Sequence, residues 1–179
     1  MRYARLVAVV LALAGTVTGR QTGSDERATA KTQSSRNAAA FDQLKSLVGE
    51  WQASTVESGK PVEAPITFRL ASGGSALMSD LAPGSPHEMV TMFHRDGEEL
   101  LATHYCLTGN QPRMRALPSS DPNVVAFEFK DATNLPNSAA PHMAGVKFTL
   151  VDANHHIEDW TIVVNGQSSV RRFECHRKS

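Results

Sequence analysis

The chain has 179 residues, and its 18 basic and 18 acidic side chains give no formal net charge. This balance leaves no overall field that would attract nucleic acid or an anionic membrane surface. We therefore expect no nucleic-acid partner.

The N-terminal residues 1–19 have the layout of a secretory signal peptide. Arg2 and Arg5 precede an apolar run at 6–14, and small and polar residues follow up to Gly19. The apolar run is shorter than the roughly 20 residues that a membrane-spanning helix needs. No cysteine follows it to carry a lipid anchor. We therefore expect an exported protein, periplasmic or secreted, without a membrane span.

The next residues divide into a polar leader and a single domain. Residues 20–36 almost lack large apolar side chains, so they cannot repay the entropy of ordering and are predicted to form a flexible leader. Residues 37–179 are long enough for one domain with a hydrophobic core. The apolar residues of 37–48 share one helix face, which predicts a short helix that Ser35 caps and Gly49 ends.

The residues after the predicted helix have the pattern of an all-β protein, with short β-branched or aromatic runs between turn sequences. Asp96-Gly97 and Asn165-Gly166 are typical of two-residue hairpin turns, so successive strands are predicted to be antiparallel. Closing such a sheet removes its two exposed edges. We therefore predict an up-and-down antiparallel barrel of about ten strands, closed on itself, with a short N-terminal helix. The predicted strands are 50–58, 65–71, 75–82, 88–94, 98–108, 112–118, 124–130, 145–152, 156–164 and 168–176.

Residues 41–52, FDQLKSLVGEWQ, carry the first family resemblance. Gly49-x-Trp51, where the predicted helix meets the first strand, resembles the Gly-x-Trp signature of lipocalins and their calycin relatives. The resemblance implies a calycin-like barrel whose floor is closed by Trp51 under an arginine of the last strand, and Arg171 or Arg172 lies where that arginine is expected. We select Arg171. A guanidinium can stack on an indole and donate to backbone carbonyls.

The mature chain also resembles a group of uncharacterised bacterial exported lipocalin-like domains, of the DUF1579 type, in which a THYC…GNQPRM stretch occurs. A barrel of about ten strands with a short helix is similar to fatty-acid-binding proteins and to the haem-binding nitrobindins as well. The helix here precedes the first strand, whereas in fatty-acid-binding proteins the helices follow it. These resemblances imply a barrel with room for one small, largely apolar ligand.

The segment 103–116, THYCLTGNQPRMRA, contains the candidate ligand contacts. His104 and Cys106 point the same way on a strand and stand about 7 Å apart on one wall if they face inward. With Arg113 on the next strand and His142 in the long irregular segment 131–145, they are predicted to orient the ligand. The structural alternatives stay open: a buried thiol beside a hydrogen-bonded histidine, and an arginine on a solvated outer face.

Two other functions stay open from the residues alone. His104, Cys106 and His142 are residue types that bind metals or haem or act in a hydrolase, although their spacing matches no recognised metal motif. The resemblance to nitrobindins would make His176 the counterpart of their haem ligand, although nothing around it in the sequence supports that role. We assign no catalytic residue, metal or cofactor and favour binding over catalysis. The third possibility is an interaction module whose interior is fully packed.

The remaining predictions concern the cysteines and the ninth predicted strand. Cys106 and Cys175 fall on opposite walls of the predicted barrel, farther apart than the about 7 Å that a disulfide spans, so two free thiols are expected, with an intermolecular bridge as the alternative. His155 and His156 are predicted to lie in an exposed turn. Trp160 alternates with Glu158 and Ile162 and is predicted to belong to the core.

Overall fold

A computed structural model of the chain describes residues 22–179, and within them the side chains of 27–29 and 31–179. The predicted signal peptide, residues 1–19, lies outside the described residues. The elements, in chain order, are α1 (Thr22–Lys45), β1 (Gly49–Glu57), β2 (Lys60–Ala71), β3 (Ala76–Leu81), β4 (Met89–Asp96), β5 (Glu99–Tyr105), β6 (Gln111–Leu117), β7 (Val124–Thr133), β8 (His142–Asp152), β9 (His155–Val164) and β10 (Gln167–Arg177).

The ten strands form one closed antiparallel barrel in which each strand pairs with its neighbours in sequence and β10 returns to pair with β1. The predicted fold is confirmed. At the seam, Trp51 lies opposite Arg177 and Ala53 lies opposite Cys175. Because directly opposed residues of an antiparallel pair point to the same face, this register decides which side chains of the last strand meet those of the first.

The hydrophobic core fills the part of the barrel that α1 covers. Phe41 and Leu44 of α1 pack with Phe93 and Phe148 of the barrel wall, and all four side chains are buried. The Asn37 amide also donates a 2.6 Å hydrogen bond to the backbone carbonyl of Glu98, in the turn between β4 and β5. The helix therefore covers one end of the barrel, and the opposite end has no helix among the described residues.

The helix begins much earlier than the apolar periodicity predicts. It spans Thr22–Lys45, so residues 22–36 of the predicted leader are helical. Ser35 donates to the carbonyl of Thr32 within the helix and does not cap its start. Alanine, lysine, glutamine and arginine favour helix without any apolar face, and apolar periodicity cannot detect such a segment. Among the described residues, no helix is both long enough and apolar enough to cross a bilayer.

The helix-covered end is held by an arginine that stacks on Trp51. The arginine is Arg177, whose guanidinium carbon lies 4.2 Å from the centre of the indole ring. It donates hydrogen bonds of 3.0, 2.8 and 3.0 Å to the backbone carbonyls of Ser46, Val48 and Ala153. The Trp51 Nε1 donates to the carbonyl of Leu47 at 2.7 Å. Three backbone segments are thus tied together at one point.

The selection of Arg171 for this role is wrong. Arg171 lies on the same strand and the same face as Arg177 but six residues earlier, which is about 20 Å along a strand. Its side chain pairs with Glu57 at the other end of β1. The lipocalin resemblance implies an arginine of the last strand, but only the β1–β10 register shows that Arg177 is the one opposite Trp51.

Gly49 of the Gly-x-Trp motif is required by the same contact. Its φ is +136°, a conformation that residues with a Cβ rarely adopt. A Cβ at this position would lie 2.6 Å from the Arg177 Nη1, much closer than van der Waals contact allows. The glycine therefore lets the guanidinium approach the backbone while it stacks on the tryptophan two residues later.

We expect Arg177→Lys to lower the free energy of unfolding by about 1–2 kcal/mol, because lysine keeps the charge but cannot donate in three directions from one plane. Urea unfolding followed by tryptophan fluorescence measures the loss. Arg171→Lys is the matched control on the same strand and should change stability by less than about 0.5 kcal/mol. Equal losses in the two variants would contradict the closing role of Arg177.

Candidate functional site

A small cavity lies inside the barrel, in the half farther from α1. On β10 it is lined by Arg171 and Phe173, which precede Cys175 and Arg177 on the same face. Its volume is about 40 Å³, enough for two or three water molecules. Most of the lining is apolar, and the remaining lining residues are Ile66, Ser79, Leu81, Met89, Thr91, His104, Met143, Glu158, Trp160 and Ile162.

A wider cavity of about 460 Å³ adjoins the small one at the helix-free end, where the barrel opens to solvent. We call it the mouth cavity, and the small one the inner cavity. Leu81, Met89, Arg171 and Phe173 line both. Arg171 forms an ion pair with Glu57, which also lines the mouth cavity. A molecule in the mouth cavity therefore faces one ion pair and the mainly apolar side chains that this cavity shares with the inner one.

His104 is the polar group of the inner cavity with an unused hydrogen-bonding atom. Its side chain is 3% exposed, and its Nδ1 lies 2.9 Å from the hydroxyl of Thr91. Its Nε2 is buried and has no hydrogen-bond partner among the described residues. Burial lowers the pKa of His104 from 6.5 to about 4, so the ring is neutral at pH 7. The prediction that His104 lies at a cavity wall is consistent with this placement.

A second buried polar group lies deeper than His104. Trp160, whose ring centre is 5.2 Å from that of His104, donates from Nε1 to the Glu158 Oε2 at 2.8 Å. The other oxygen of Glu158 lies 3.1 Å from the His156 Nε2. The His156 ring in turn meets the edge of Trp51, with ring centres 4.3 Å apart. This chain of contacts joins the inner cavity to the floor of the barrel.

The expectation that His156 lies in an exposed turn is wrong, because the side chain is fully buried on the inner face of β9. The two histidines belong to β9 and not to a turn, and neighbours on a strand point to opposite faces. The alternation of His156 with Glu158 and Trp160 was the signal that could have found it. The predicted core position of Trp160 is confirmed, since its side chain is 7% exposed. His155 lies on the other face and stacks on His176, which is exposed.

The other predicted ligand contacts do not line the inner cavity with His104. Cys106 follows the last residue of β5 and lies in a turn, where its backbone bonds to Asn110 and Gly109. Arg113 is exposed and donates to the Asp131 carboxylate at 2.7 Å. The contacts of Arg113 therefore match the second interpretation given for it, an arginine on the outer face of the barrel, here held by an ion pair with Asp131.

His142 also lies apart from the inner cavity, although it is buried. It is the first residue of β8, because β7 and β8 are longer than predicted and leave only residues 134–141 between them. Its Nδ1 lies 2.7 Å from the carbonyl oxygen of Ala140, and its ring packs against Phe129. The next residue, Met143, lines the inner cavity instead.

Both cysteines have free thiols, which confirms the prediction against an internal disulfide. Cys175 is buried beside the barrel seam, and Cys106 is half-buried in the turn after β5. Burial is the main cause that raises the pKa of the Cys175 thiol, and the charges of Glu158 and Glu174 raise it further. The Cys175 sulfur is therefore a protonated thiol at neutral pH.

Comparison with known proteins supports the barrel fold alone. No family model and no curated protein sequence matches the chain. The structure is similar to the crystal structure of Rv2717c from M. tuberculosis, with a TM-score of 0.51 and 16% identity over 78% of this chain and 98% of that chain. It is also similar to a protein of unknown function of the DUF3598 family from Nostoc punctiforme, with a TM-score of 0.49 and 16% identity over 75% of this chain and 48% of that chain. A redesigned β-barrel has a TM-score of 0.37 and 15% identity over 80% of this chain and 96% of that chain. The lipocalin and DUF1579 resemblances remain predictions.

We expect acid to destabilise the fold through His104. The folded state binds its proton only near pH 4, whereas an unfolded histidine binds one near pH 6.5, so falling pH favours the unfolded chain between these values. The contribution at pH 4.5 relative to pH 7 is about 2–3 kcal/mol. Urea unfolding of wild type and His104→Gln at both pH values measures it, with the exposed His87→Gln as control. The same pH dependence in wild type and His104→Gln would contradict this prediction.

Proposed function

We propose that this protein binds one small, largely apolar molecule in the joined inner and mouth cavities. The observation that carries the proposal is the His104 Nε2, a buried polar atom without a partner at the wall of a mainly apolar cavity. Leaving such an atom without a hydrogen bond costs about 1–3 kcal/mol, which a guest with one matching polar atom recovers. In a fully packed interaction module, nothing would offset the cost of leaving the His104 Nε2 without a hydrogen bond.

The dimensions of the two cavities define the kind of guest. The inner cavity, at about 40 Å³, admits only the narrow end of a molecule. The mouth cavity, at about 460 Å³, is within the roughly 300–1,000 Å³ of small-molecule sites. Met89 and Met143 line the inner cavity, and methionine side chains adapt to irregular guests. The guest we infer therefore has an apolar body in the mouth cavity and a slim end with one polar atom that reaches His104.

The hydrolytic, metal and haem alternatives built on the predicted residues have less support. His104, Cys106 and His142 belong to three separate environments: the cavity wall, a turn and a strand end packed on Phe129. Covalent catalysis by cysteine and histidine needs the two side chains in hydrogen-bond contact. We therefore propose binding and no reaction for the inner cavity.

We also propose that the protein acts outside the cytoplasm, on the evidence of residues 1–19 alone. Expression of the full chain with cell fractionation, followed by mass measurement of the mature protein, tests this. We expect the protein in the exported fraction with its N-terminal segment removed near residue 19. A full-length cytoplasmic product would contradict export and would leave the binding proposal unaffected.

We expect the purified protein to bind anilinonaphthalene sulfonate, an apolar fluorescent probe with one anionic group, with increased probe emission. Leu81→Trp places a larger side chain where the two cavities share a wall and should weaken binding at least about tenfold, or 1.4 kcal/mol. Leu70→Trp is the matched control, because Leu70 is exposed and lines neither cavity. Unchanged probe affinity in Leu81→Trp would contradict the proposed site.

Near-ultraviolet circular dichroism of each variant shows whether the fold is kept, which matters because this probe also binds loosely packed states. Native mass spectrometry of the protein from its own host then identifies the guest. Absence of probe binding by the folded wild type, together with absence of any bound small molecule, would favour the packed interaction module.

A further inference from the structure

Three side chains of types that can ligate a metal converge at the base of the inner cavity, on the neighbouring strands β9 and β10. His156 and Cys175 are directly opposite in the strand register, and Glu158 follows His156 on the same face. One ligand atom from each residue lies within 4.8 Å of the other two. All three side chains are buried. Among the described residues this is the group that the barrel brings together, whereas His104, Cys106 and His142 stay apart.

The separations are close to those of a metal site. Zn²⁺ holds imidazole nitrogen and carboxylate oxygen at about 2.0–2.2 Å and thiolate sulfur at about 2.3 Å, so tetrahedral ligand atoms stand about 3.3–3.6 Å apart. The His156 Nε2 and the Glu158 Oε1 are already 3.1 Å apart. Sulfur and the other atoms within 4.8 Å need to approach by about 1 Å, which small rotations of side-chain torsions provide.

The charges also favour a dication. The Glu158 carboxyl group is buried, and its partners among the described residues are Trp160, which donates a hydrogen bond to it, and His156, which lies at ion-pair distance. A buried charge is costly unless an opposite charge accompanies it. One dication with the Glu158 carboxylate, a Cys175 thiolate and a neutral His156 forms a group with no net charge. The Cys175 S–H bond breaks as the sulfur–metal bond forms, and its proton leaves to solvent.

We propose that His156, Glu158 and Cys175 bind one Zn²⁺ or a similar borderline metal ion at the base of the inner cavity. Glu158 also lines the inner cavity, so this cavity is the side from which an ion would reach the three residues. Three protein ligands leave one position of a tetrahedral zinc ion for water or another ligand. This site goes beyond the binding proposal and does not depend on it.

The test uses Co²⁺ as a spectroscopic substitute for Zn²⁺, added to purified protein that has been treated with a chelator. We expect one equivalent to bind with a thiolate-to-cobalt charge-transfer band in the near ultraviolet, and Zn²⁺ to displace it. Cys175→Ser should lose the band and bind Zn²⁺ at least tenfold more weakly. Cys106→Ser is the matched control, since it removes the other thiol and should keep the band.

Glu158→Gln keeps the size of the side chain and an oxygen for the Trp160 hydrogen bond, so it decides the question if Cys175→Ser does not fold. We expect it to keep the near-ultraviolet circular dichroism of the wild type and to lose at least tenfold in Zn²⁺ affinity. The proposal is overturned if folded wild type shows no thiolate band, if the band persists in Cys175→Ser, if Cys106→Ser removes it, or if folded Glu158→Gln keeps the Zn²⁺ affinity of the wild type.

Discussion

Arg177 and Trp51 meet where the last strand of the barrel pairs with the first, and the rest of the structure depends on that contact. The guanidinium stacks on the indole and donates to three carbonyls, two in the segment after α1 and one between β8 and β9. Gly49 leaves the space for it. The seam, the helix and a distant turn are thereby joined at one end, so the opposite end is free to remain open.

This one-sided closure explains the distribution of side chains along each strand. The half near α1 is filled by large apolar residues such as Phe93 and Phe148. The far half contains the inner cavity and most of the polar groups that point inward, including His104 and Glu158. A cavity and unpaired buried polar atoms both lower the stability of the folded state. The packed core near α1 offsets this loss. The candidate site therefore lies in the half of the barrel that contributes less to the packed core.

The sequence predicted the closed sheet and the inward-facing Trp160 better than it predicted which side chains line the inner cavity. Alternation on the strands indicated that Trp160 faces inward, and the spacing of hairpin turns indicated a closed sheet that separates Cys106 from Cys175. The expected contacts Cys106, Arg113 and His142 lie elsewhere, because a strand end, an ion pair with Asp131 and a longer β8 decide their positions. None of these three features has a signal in the local pattern.

The sequence by itself determined the strand count, the antiparallel order and the closure of this barrel, because alternation and turn chemistry are local properties of the chain. Only the tertiary structure decided which residues meet across the seam and across β9 and β10. The register between β1 and β10, which are distant in sequence, places Arg177 and not Arg171 opposite Trp51. The register between β9 and β10 brings together His156, Glu158 and Cys175. A shift of one residue reverses every side chain on a strand, so register is a property of the whole closed sheet.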